Sequence, residues 1–393
     1  MSEVEIARVG SQEKTREWGL GVVSGKSTAD VFVVGGGPAG LAAAIAARQR
    51  GMSVTVADGT EPPIDKACGE GLMPETIVAL GELGVEIQPD AGYRFRGVRF
   101  LQQEMQVGAE FPQALGVGIR RTILHEWLIA RAENCGVRLM WRTPVSAITK
   151  TGVQLPAEFV ASRWIIGADG SGSRVRRWSG LDTATLQSQR YATRRHYRVR
   201  PWSDHVEIYW GHRAQAYVTP ISHEEVCIVV MANRAEDAAF DSLLLDCAQL
   251  KQRLSGAELA SRERGAITQM HSLRAVHSGN VALVGDASGG VDAITGEGLR
   301  LAFQQAIALA DAMEREDLPS YERTHRKLAR KPTRVGNLLL TMARNDSLRT
   351  RSIRILEKWP QLFARLLTLH TGRAALGDLL SAGAQLGWRF LTT

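Results

Sequence analysis

Three glycine-rich segments carry the residue types and spacing that could hold a phosphorylated ligand. They are GGGPAG at residues 35–40, GADGSG at 167–172 and GDASGG at 285–290, and the last two include an aspartate. A short apolar run precedes each segment, which indicates that each falls where a buried parallel strand ends. Doubly wound α/β sheets bind their ligands at this edge. We therefore expect ligand-binding loops at all three positions.

The first segment has the GxGxxG spacing of dinucleotide-binding proteins, between an apolar strand and an alanine-rich helix. Gly35 permits a tight turn, Gly37 lets the backbone approach a pyrophosphate, and Gly40 lets the helix pack against the strand. Unpaired N–H groups at the start of the helix attract phosphate. Asp58 ends the next strand, 23 residues after Gly35, where its carboxylate can hold a ribose hydroxyl. The combination predicts dinucleotide binding.

The third segment leads into a second glycine-rich helix start. Residues 295–299 read TGEGL and open a long apolar helix, Leu301–Met313. The N-terminus of such a helix suits the electron-rich end of a ring or another phosphate. Ordinary turns rich in Gly and Asp are the alternative interpretation, and three of them in one chain argue against it.

The sequence resembles the flavoproteins with the p-hydroxybenzoate hydroxylase fold. The resemblance rests on VVGGGPAGLAAA at 33–44, GADGSGSRVRR at 167–177 and GDASGGVDAITGEGLRLA at 285–302. It implies FAD as cofactor and NAD(P)H as electron donor. The FAD-binding residues that it implies are Gly35, Gly37, Ala39, Gly40, Asp58, Arg121, Asp169, Gly170, Gly285, Asp286, Gly296, Gly298 and Leu299.

Two loops resemble one branch of this group, the geranylgeranyl reductases. CGEGL at 68–72 is similar to their CGGGL loop, although Glu70 replaces a glycine, and TGEG at 295–298 is also typical of them. YVTP at 217–220 shares the tyrosine and proline of their YxWxFP segment but lacks its tryptophan. The WxWxIP segment of flavin halogenases is absent from the sequence. Cys68 and Tyr217 are the candidates for catalysis, although Cys68 would serve equally as a small residue that permits close approach.

Residues 190–232 have the period-two pattern of several strands and predict an antiparallel sheet that roofs a cavity over the flavin. Tyr209, Trp210 and Tyr217 could line this cavity, although aromatic residues in strands more often belong to the core. His196, His205 and His212 could transfer protons, and no partner in the sequence distinguishes one of them. The partner that we expect is a hydrophobic or aromatic small-molecule substrate.

The reaction has two main interpretations. An aromatic pocket favours an NAD(P)H-linked flavin monooxygenase that hydroxylates a hydrophobic or aromatic molecule through a flavin C4a-hydroperoxide, and we favour this one. The two loops favour the alternative, reduction of C=C bonds in an isoprenoid or other lipid. A flavin-dependent halogenase or a non-catalytic flavoprotein is a further alternative.

The composition is that of a globular protein with two interlocked domains. Its 393 residues are 44% hydrophobic and 23% charged, which excludes disordered, collagen-like and coiled-coil proteins. The four cysteines have no CxxC spacing and no histidine cluster, which excludes a disulfide scaffold and a zinc site. We therefore expect a cytoplasmic protein without a bound metal.

Residues 323–354 hold ten Lys or Arg against one acid, a local charge of +9 compared with +7 for the whole chain. A solvated helical face is one interpretation of this basic segment. The other is peripheral contact with anionic lipid headgroups or with a phosphorylated substrate. No motif for nucleic acid accompanies it, so we expect no nucleic acid partner. We expect no signal peptide and no transmembrane segment.

These observations predict an α/β fold with a Rossmann-like, GR2-type FAD-binding domain and an interleaved antiparallel β-sheet substrate domain. The predicted division is a flexible leader (1–29), a discontinuous FAD-binding domain (30–78, 115–180 and 265–318), a substrate domain (79–114 and 181–264) and a helical C-terminal region (319–393).

Overall fold

A computed structural model describes residues 27–183 and 185–370. Most of the predicted leader, residues 1–26, and the end of the predicted C-terminal region, residues 371–393, lie outside the described residues. The boundaries between the predicted domains stay a prediction.

The described strands form two large sheets and one small sheet. In chain order they are β1 (Ser27–Val34), β2 (Val54–Ala57), β3 (Gly71–Leu72), β4 (Tyr93–Phe95), β5 (Gly97–Gln102), β6 (Met105–Glu110), β7 (Gly116–Gly118), β8 (Arg138–Met140), β9 (Ala147–Thr149), β10 (Gly152–Gln154), β11 (Phe159–Gly167), β12 (Thr185–Arg198), β13 (His205–Trp210), β14 (Ala214–Pro220), β15 (Glu225–Ala232), β16 (Glu258–Leu259), β17 (Arg264–Ser272), β18 (His277–Ser278) and β19 (Val281–Leu283).

The described helices alternate with these strands and then continue alone to residue 370. They are α1 (Pro38–Gln49), α2 (Pro74–Glu82), α3 (Arg121–Asn134), α4 (Arg174–Trp178), α5 (Phe240–Asp246), α6 (Ala248–Arg253), α7 (Gly298–Glu314), α8 (Leu318–Arg344), α9 (Asp346–Lys358) and α10 (Pro360–His370). None of the helices within the described ranges is long and apolar enough to cross a membrane.

The first large sheet has the order β18-β19-β11-β1-β2-β8, and the pairs from β19 to β8 are parallel. Its central strands are apolar on both faces because both are covered, one by helices α1, α3 and α7 and the other by β10, the short helix α4 and neighbouring loops; Val31, Phe32 and Val33 are fully buried. The run of buried alanines in α1 lets this helix lie close to α7 in one shared core. The sheet therefore brings the ends of β1, β2, β11 and β19, which carry the predicted loops, to one edge.

The second large sheet has the order β16-β12-β15-β14-β13-β5-β6, with β17 beside β12. The predicted antiparallel sheet is present, except that β5 and β13 pair in parallel. One face of this sheet packs with α9 and α10, and the other packs with α5 and α6. Successive side chains along each strand point to opposite faces of the sheet, so the same strands contribute to both hydrophobic cores. The fold class agrees with the prediction, with a helical region from α8 onward.

Candidate active site

One cavity of about 1180 Å³ lies between the loop edge of the first sheet, the second sheet and helices α8 to α10. Pockets for a single drug-sized ligand occupy roughly 300–1,000 Å³, so this cavity has room for more than one such molecule. Every predicted FAD-binding residue except Gly40 lines it, and so do Cys68 and Tyr217. Residues far apart in the sequence therefore form one continuous site.

The turn after β1 depends on glycine at two positions. Gly35 has a φ of +111°, in the region that favours glycine, and its carbonyl oxygen lies 1.9 Å from the place that a Cβ on Gly40 would occupy. Gly40 thus packs α1 against the turn, as predicted, without facing the cavity. A Cβ on Gly37 would meet nothing within 4 Å in the described chain. Gly37 therefore leaves open space at the start of α1, where the predicted pyrophosphate would lie.

Two side chains fix the glycine turn from behind. Asp58 accepts a hydrogen bond of 2.7 Å from the Gly36 N–H with one carboxylate oxygen. His125 is fully buried, and its Nε2 lies 2.8 Å from the Gly36 carbonyl oxygen. Burial lowers the pKa of His125, so the neutral ring donates from Nε2 and accepts the Ile64 N–H at Nδ1. Sequence reasoning missed His125 because its partner is 89 residues away.

The loop after β11 is organised by Asp169. Its carboxylate accepts hydrogen bonds from the Ser173 hydroxyl and from the N–H groups of Arg174 and Val175, and so caps α4. Gly170 follows with a φ of +81°. Asp169 thus shapes the loop at the cavity wall as well as lining it.

The loop after β19 is held by a buried polar network. The Gly285 N–H donates to Gln305 Oε1 at 2.9 Å, and the Ser288 hydroxyl donates to the Gly285 carbonyl oxygen at 2.8 Å. His325 Nε2 lies 2.9 Å from the Ser288 hydroxyl oxygen, and burial lowers the pKa of His325 to about 4. A neutral histidine from α8 therefore supports the loop that carries Asp286 to the cavity.

Arg121 presents an unsatisfied donor at the cavity wall. Its Nε is buried and has no hydrogen-bond partner among the described residues. A buried guanidinium nitrogen in this condition is costly unless an acceptor reaches it. Together with the open space at Gly37 and the helix N-terminus of α1, this donor fits an anionic cofactor such as FAD.

The two candidates for catalysis lie in the same cavity with different surroundings. The Cys68 carbonyl oxygen accepts from the Cys227 thiol at 3.5 Å, and the Cys68 sulfur accepts from the Glu70 N–H at 3.4 Å. The Tyr217 hydroxyl donates to Gln215 Oε1 at 3.5 Å, and burial raises the pKa of Tyr217 well above its usual value. Tyr217 is therefore a neutral phenol at ordinary pH.

The three predicted histidines differ in their partners and in their distance from the cavity wall. His196 is buried behind the cavity wall, with its Nε2 2.7 Å from Glu70 Oε2. His205 pairs with Asp204, and His212 pairs with Asp346 on an exposed surface. Neither His205 nor His212 lines the cavity. Glu70 is thus the partner that distinguishes His196, and the sequence could not identify it.

The far end of the cavity is apolar. The second sheet and the C-terminal helices supply its walls, which are drawn from one buried cluster. The prediction that Tyr209 and Trp210 line the cavity was wrong: Tyr209 packs on the opposite face of β13, and Trp210 packs against Phe100 without reaching the cavity. Side chains of the apolar walls are Val98, Phe100, Val206, Ile208, Tyr217, Leu339, Met342, Leu356, Phe363 and Leu367.

One part of the basic segment 323–354, on helix α8, lines the cavity. Lys327, Arg330, Lys331 and Arg334 lie three or four residues apart on α8 and line the cavity wall. The expectation of a fully solvated basic face was wrong for Arg349, which is 2% exposed and pairs with Asp346 at 3.0 Å. Part of this charge therefore belongs to the folded core.

The FAD binding domain family matches residues 28–316, which is more than half of the chain. The chain belongs to this family. It is an FAD-dependent oxidoreductase.

The flavoprotein also has relatives that match most of its length. Menaquinone reductase of Mycolicibacterium smegmatis is 29% identical over 322 residues, which cover 75% of this chain and 78% of that protein. Digeranylgeranylglycerophospholipid reductase 1 of Methanothermobacter thermautotrophicus is 27% identical over 294 residues, covering 69% and 73%. A geranylgeranyl bacteriochlorophyll reductase-like protein from Thermoplasma acidophilum shares the fold, with a TM-score of 0.68, 20% identity, and coverage of 91% and 96%.

Proposed function

We propose that this flavoprotein is an NAD(P)H-linked reductase that saturates a C=C bond in the prenyl chain of a hydrophobic quinone or related lipid. The observation that carries the proposal is the apolar end of the cavity, which continues from the Cys68 loop between the second sheet and helices α8 to α10. A prenyl chain is long and apolar, so burial in such a channel is favourable along its whole length.

The relatives support the same reaction class. The relatives from Mycolicibacterium smegmatis and Methanothermobacter thermautotrophicus are both called reductases. One name refers to a prenylated quinone, and the other refers to a prenylated phospholipid. The CGEGL and TGEG loops of this chain also favour the reductase branch. We extend the reaction class to this chain on these grounds together with the shape of the cavity.

The chain's own residues would hold the cofactor and exclude water. When bound, reduced FAD would supply a hydride to the double bond. Arg121 and the N-terminus of α1 would hold the pyrophosphate, and Asp58 would hold a ribose hydroxyl. The buried side chains of Ile208 and Phe363 would keep water from the reacting carbons.

Hydroxylation of an aromatic substrate is the second candidate. Tyr217, Phe100 and Phe363 give the cavity an aromatic component, which favours a ring. Two of the three aromatic residues that favoured this reaction do not line the cavity, so the argument for it is weaker than the argument for reduction.

The test uses the FAD-loaded protein, reduced without oxygen by NADPH and then mixed with possible acceptors. We expect a menaquinone with an unsaturated prenyl chain to reoxidise the flavin and to gain two mass units in that chain. The same quinone with a saturated chain should gain none. A phenol that gains one oxygen atom on admission of O2, with no change in any prenyl chain, would instead establish hydroxylation.

Replacing Ile208 by tryptophan should block the apolar channel without disturbing the cofactor. Ile208 lies in the cavity wall on β13. We expect prenyl reduction to fall at least about tenfold, while NADPH reduces the flavin at the wild-type rate. Leu245→Trp is the control, since Leu245 is 79% exposed on α5 and does not line the cavity. Equal loss in both variants would contradict the assignment of this channel.

We further propose that the basic segment brings the cavity to an anionic membrane surface. Lys327, Arg330 and Arg334 border the cavity beside Leu338, which is 48% exposed. Each cation near an anionic membrane contributes about 1 kcal/mol, so reversing two should weaken binding by more than tenfold. Sedimentation with phosphatidylglycerol vesicles tests R330E/R334E against the control R198E/R213E, which reverses two exposed arginines outside the segment. Equal binding by both double variants would contradict the proposal.

A further inference from the structure

The cavity wall is backed by a buried polar cluster that the cofactor-binding role does not explain. This cluster, called here the Glu70 cluster, consists of Asp65, Glu70, Arg194, His196 and Ser261. We propose that Glu70, His196 and Ser261 form a path that carries a proton from solvent to the cavity wall for the reduction of the substrate. This inference rests on the proposed function and adds the source of the second hydrogen.

The path is continuous from the cavity to the outside. Glu70 lines the cavity and is 3% exposed, and its Oε2 lies 2.7 Å from His196 Nε2. His196 is 1% exposed, and its Nδ1 lies 2.6 Å from the Ser261 hydroxyl oxygen. Ser261 is partly exposed and is followed by the exposed Arg262, whose carbonyl oxygen lies 3.3 Å from the Ser261 hydroxyl. Two short hydrogen bonds therefore join a buried carboxylate to the surface.

The hydrogen-bond pattern places a mobile proton on this path. When the Ser261 hydroxyl donates to the Arg262 carbonyl oxygen, Nδ1 of His196 must be the donor to Ser261. One proton then remains between His196 Nε2 and Glu70 Oε2, on either the ring or the carboxyl group. A carboxyl–imidazole pair of this kind can take a proton at one end and release it at the other.

The reaction requires a proton source at the apolar end of the channel. Saturation of a C=C bond adds a hydride to one carbon and a proton to the other, while the two electrons come from NAD(P)H by way of the flavin. Water excluded from the channel cannot supply the proton directly. Tyr217, another polar group in this wall, donates to Gln215 and is itself buried, whereas the Glu70 cluster extends to the partly exposed Ser261.

Glu70 is held in position by several groups at once. Its Oε1 accepts from the Arg121 N–H at 3.0 Å and from Arg194 Nη1 at 3.2 Å, while Arg194 also pairs with Asp65 at 2.7 Å. The backbone of Glu70 has a φ of +57°, a conformation that favours glycine. A carboxylate kept at this position, despite the backbone conformation, indicates a use for the side chain.

The same cluster is unsuited to a metal ion. Ligand atoms of Glu70, His196 and Cys227 lie within 4.8 Å of one another. The Arg194 guanidinium already occupies the carboxylate and would repel a cation. Burial also raises the pKa of Cys227 well above its usual value, so the thiol keeps its proton. Proton transfer therefore suits the cluster better than metal binding.

The kinetic test compares E70Q and H196Q with the wild type and with H205Q, whose histidine lies outside the cavity. Each FAD-loaded protein is reduced by NADPH and then reoxidised by an unsaturated prenyl quinone, in H2O and in D2O. We expect E70Q and H196Q to slow reoxidation at least about tenfold and to alter its solvent isotope effect, with flavin reduction by NADPH unchanged. Wild-type reoxidation rates and isotope effects in both variants would overturn the proton path.

A second measurement does not depend on turnover. In the FAD-free protein labelled with 15N-histidine, NMR should show a deshielded ring proton that H196Q removes and E70Q shifts, because it is shared with Glu70. An unchanged histidine spectrum in E70Q would overturn the path. If the wild type reduces no prenyl double bond at all, the proposed function fails together with its proton path. If it does so and the two variants match it, only the path fails.

Discussion

Gly37→Ala should abolish tight FAD binding while leaving the stability of the FAD-free protein unchanged. The new Cβ would meet nothing within 4 Å in the described chain, and Gly37 has an ordinary extended backbone, with a φ of −72°. The methyl group would instead project into the space where the pyrophosphate approaches α1. We expect the dissociation constant for FAD to rise at least about a hundredfold, a loss of roughly 3 kcal/mol. Fluorescence titration of the apoprotein with FAD measures it.

Gly40→Ala should instead affect protein stability, because the new methyl group would collide with the protein backbone. Its Cβ would lie 1.9 Å from the Gly35 carbonyl oxygen, so α1 would have to move away from β1. We expect the FAD-free protein to lose about 1–3 kcal/mol of unfolding free energy. Gly81→Ala is the matched control, since it lies in α2 with open space around its Cβ. Tight FAD binding by Gly37→Ala would contradict the assigned place of the pyrophosphate.

Arg190→Met should lower the free energy of unfolding by about 3–5 kcal/mol, because it leaves a buried carboxylate without its partner. Arg190 Nη1 lies 3.2 Å from Asp292 Oδ1, and both side chains are 2% exposed. Asp292 also accepts from the Ile294 N–H, which begins the turn leading to Gly296. The unpaired charge would therefore disturb the loop expected under the flavin ring. Urea unfolding of the FAD-free variant gives the value.

The double variant R190M/D292N tests the cause of that loss. It removes the unpaired charge but keeps an oxygen for the Ile294 N–H, so we expect most of the stability to return. Arg96→Met is the control for a surface pair. Arg96 pairs with Asp204 at 2.7 Å, with both side chains more than 40% exposed, and its loss should cost less than about 1 kcal/mol. A similar small loss in Arg190→Met would contradict the argument from burial.

Local patterns were sufficient to predict where the three glycine-rich loops lie. An apolar run followed by glycines is typical of a buried strand that ends in a tight turn. Gly35, Asp169 and Asp286 accordingly lie in loops at the edge of the first sheet and line the cavity. The strands at 190–232 were also predicted by their alternation. The parallel pairing of β5 with β13 was not, because it joins strands more than a hundred residues apart and no local signal specifies it.

Partners that meet only in the fold account for what the sequence could not reveal. Glu70 and His196 are 126 residues apart, and the pattern of neither segment indicates that the two side chains meet. The wrong prediction for Tyr209 has a different origin, since strand periodicity shows that two faces exist but does not show which one borders a cavity. The charge density of the basic segment similarly could not show that the Arg349 side chain is buried and pairs with Asp346.

The cavity is built from two parts of the chain, one inside the family match and one after it. The family match ends at residue 316, whereas α8 to α10 supply part of the apolar wall, and α8 supplies the basic residues Lys327, Arg330, Lys331 and Arg334. The residues predicted to hold the cofactor all lie before residue 317, whereas one wall of the far end of the channel comes after it. Mutations in the C-terminal helices can lengthen, shorten or recharge the channel while the redox machinery stays intact. Changes confined to these helices would therefore be one route to a different substrate range on this scaffold.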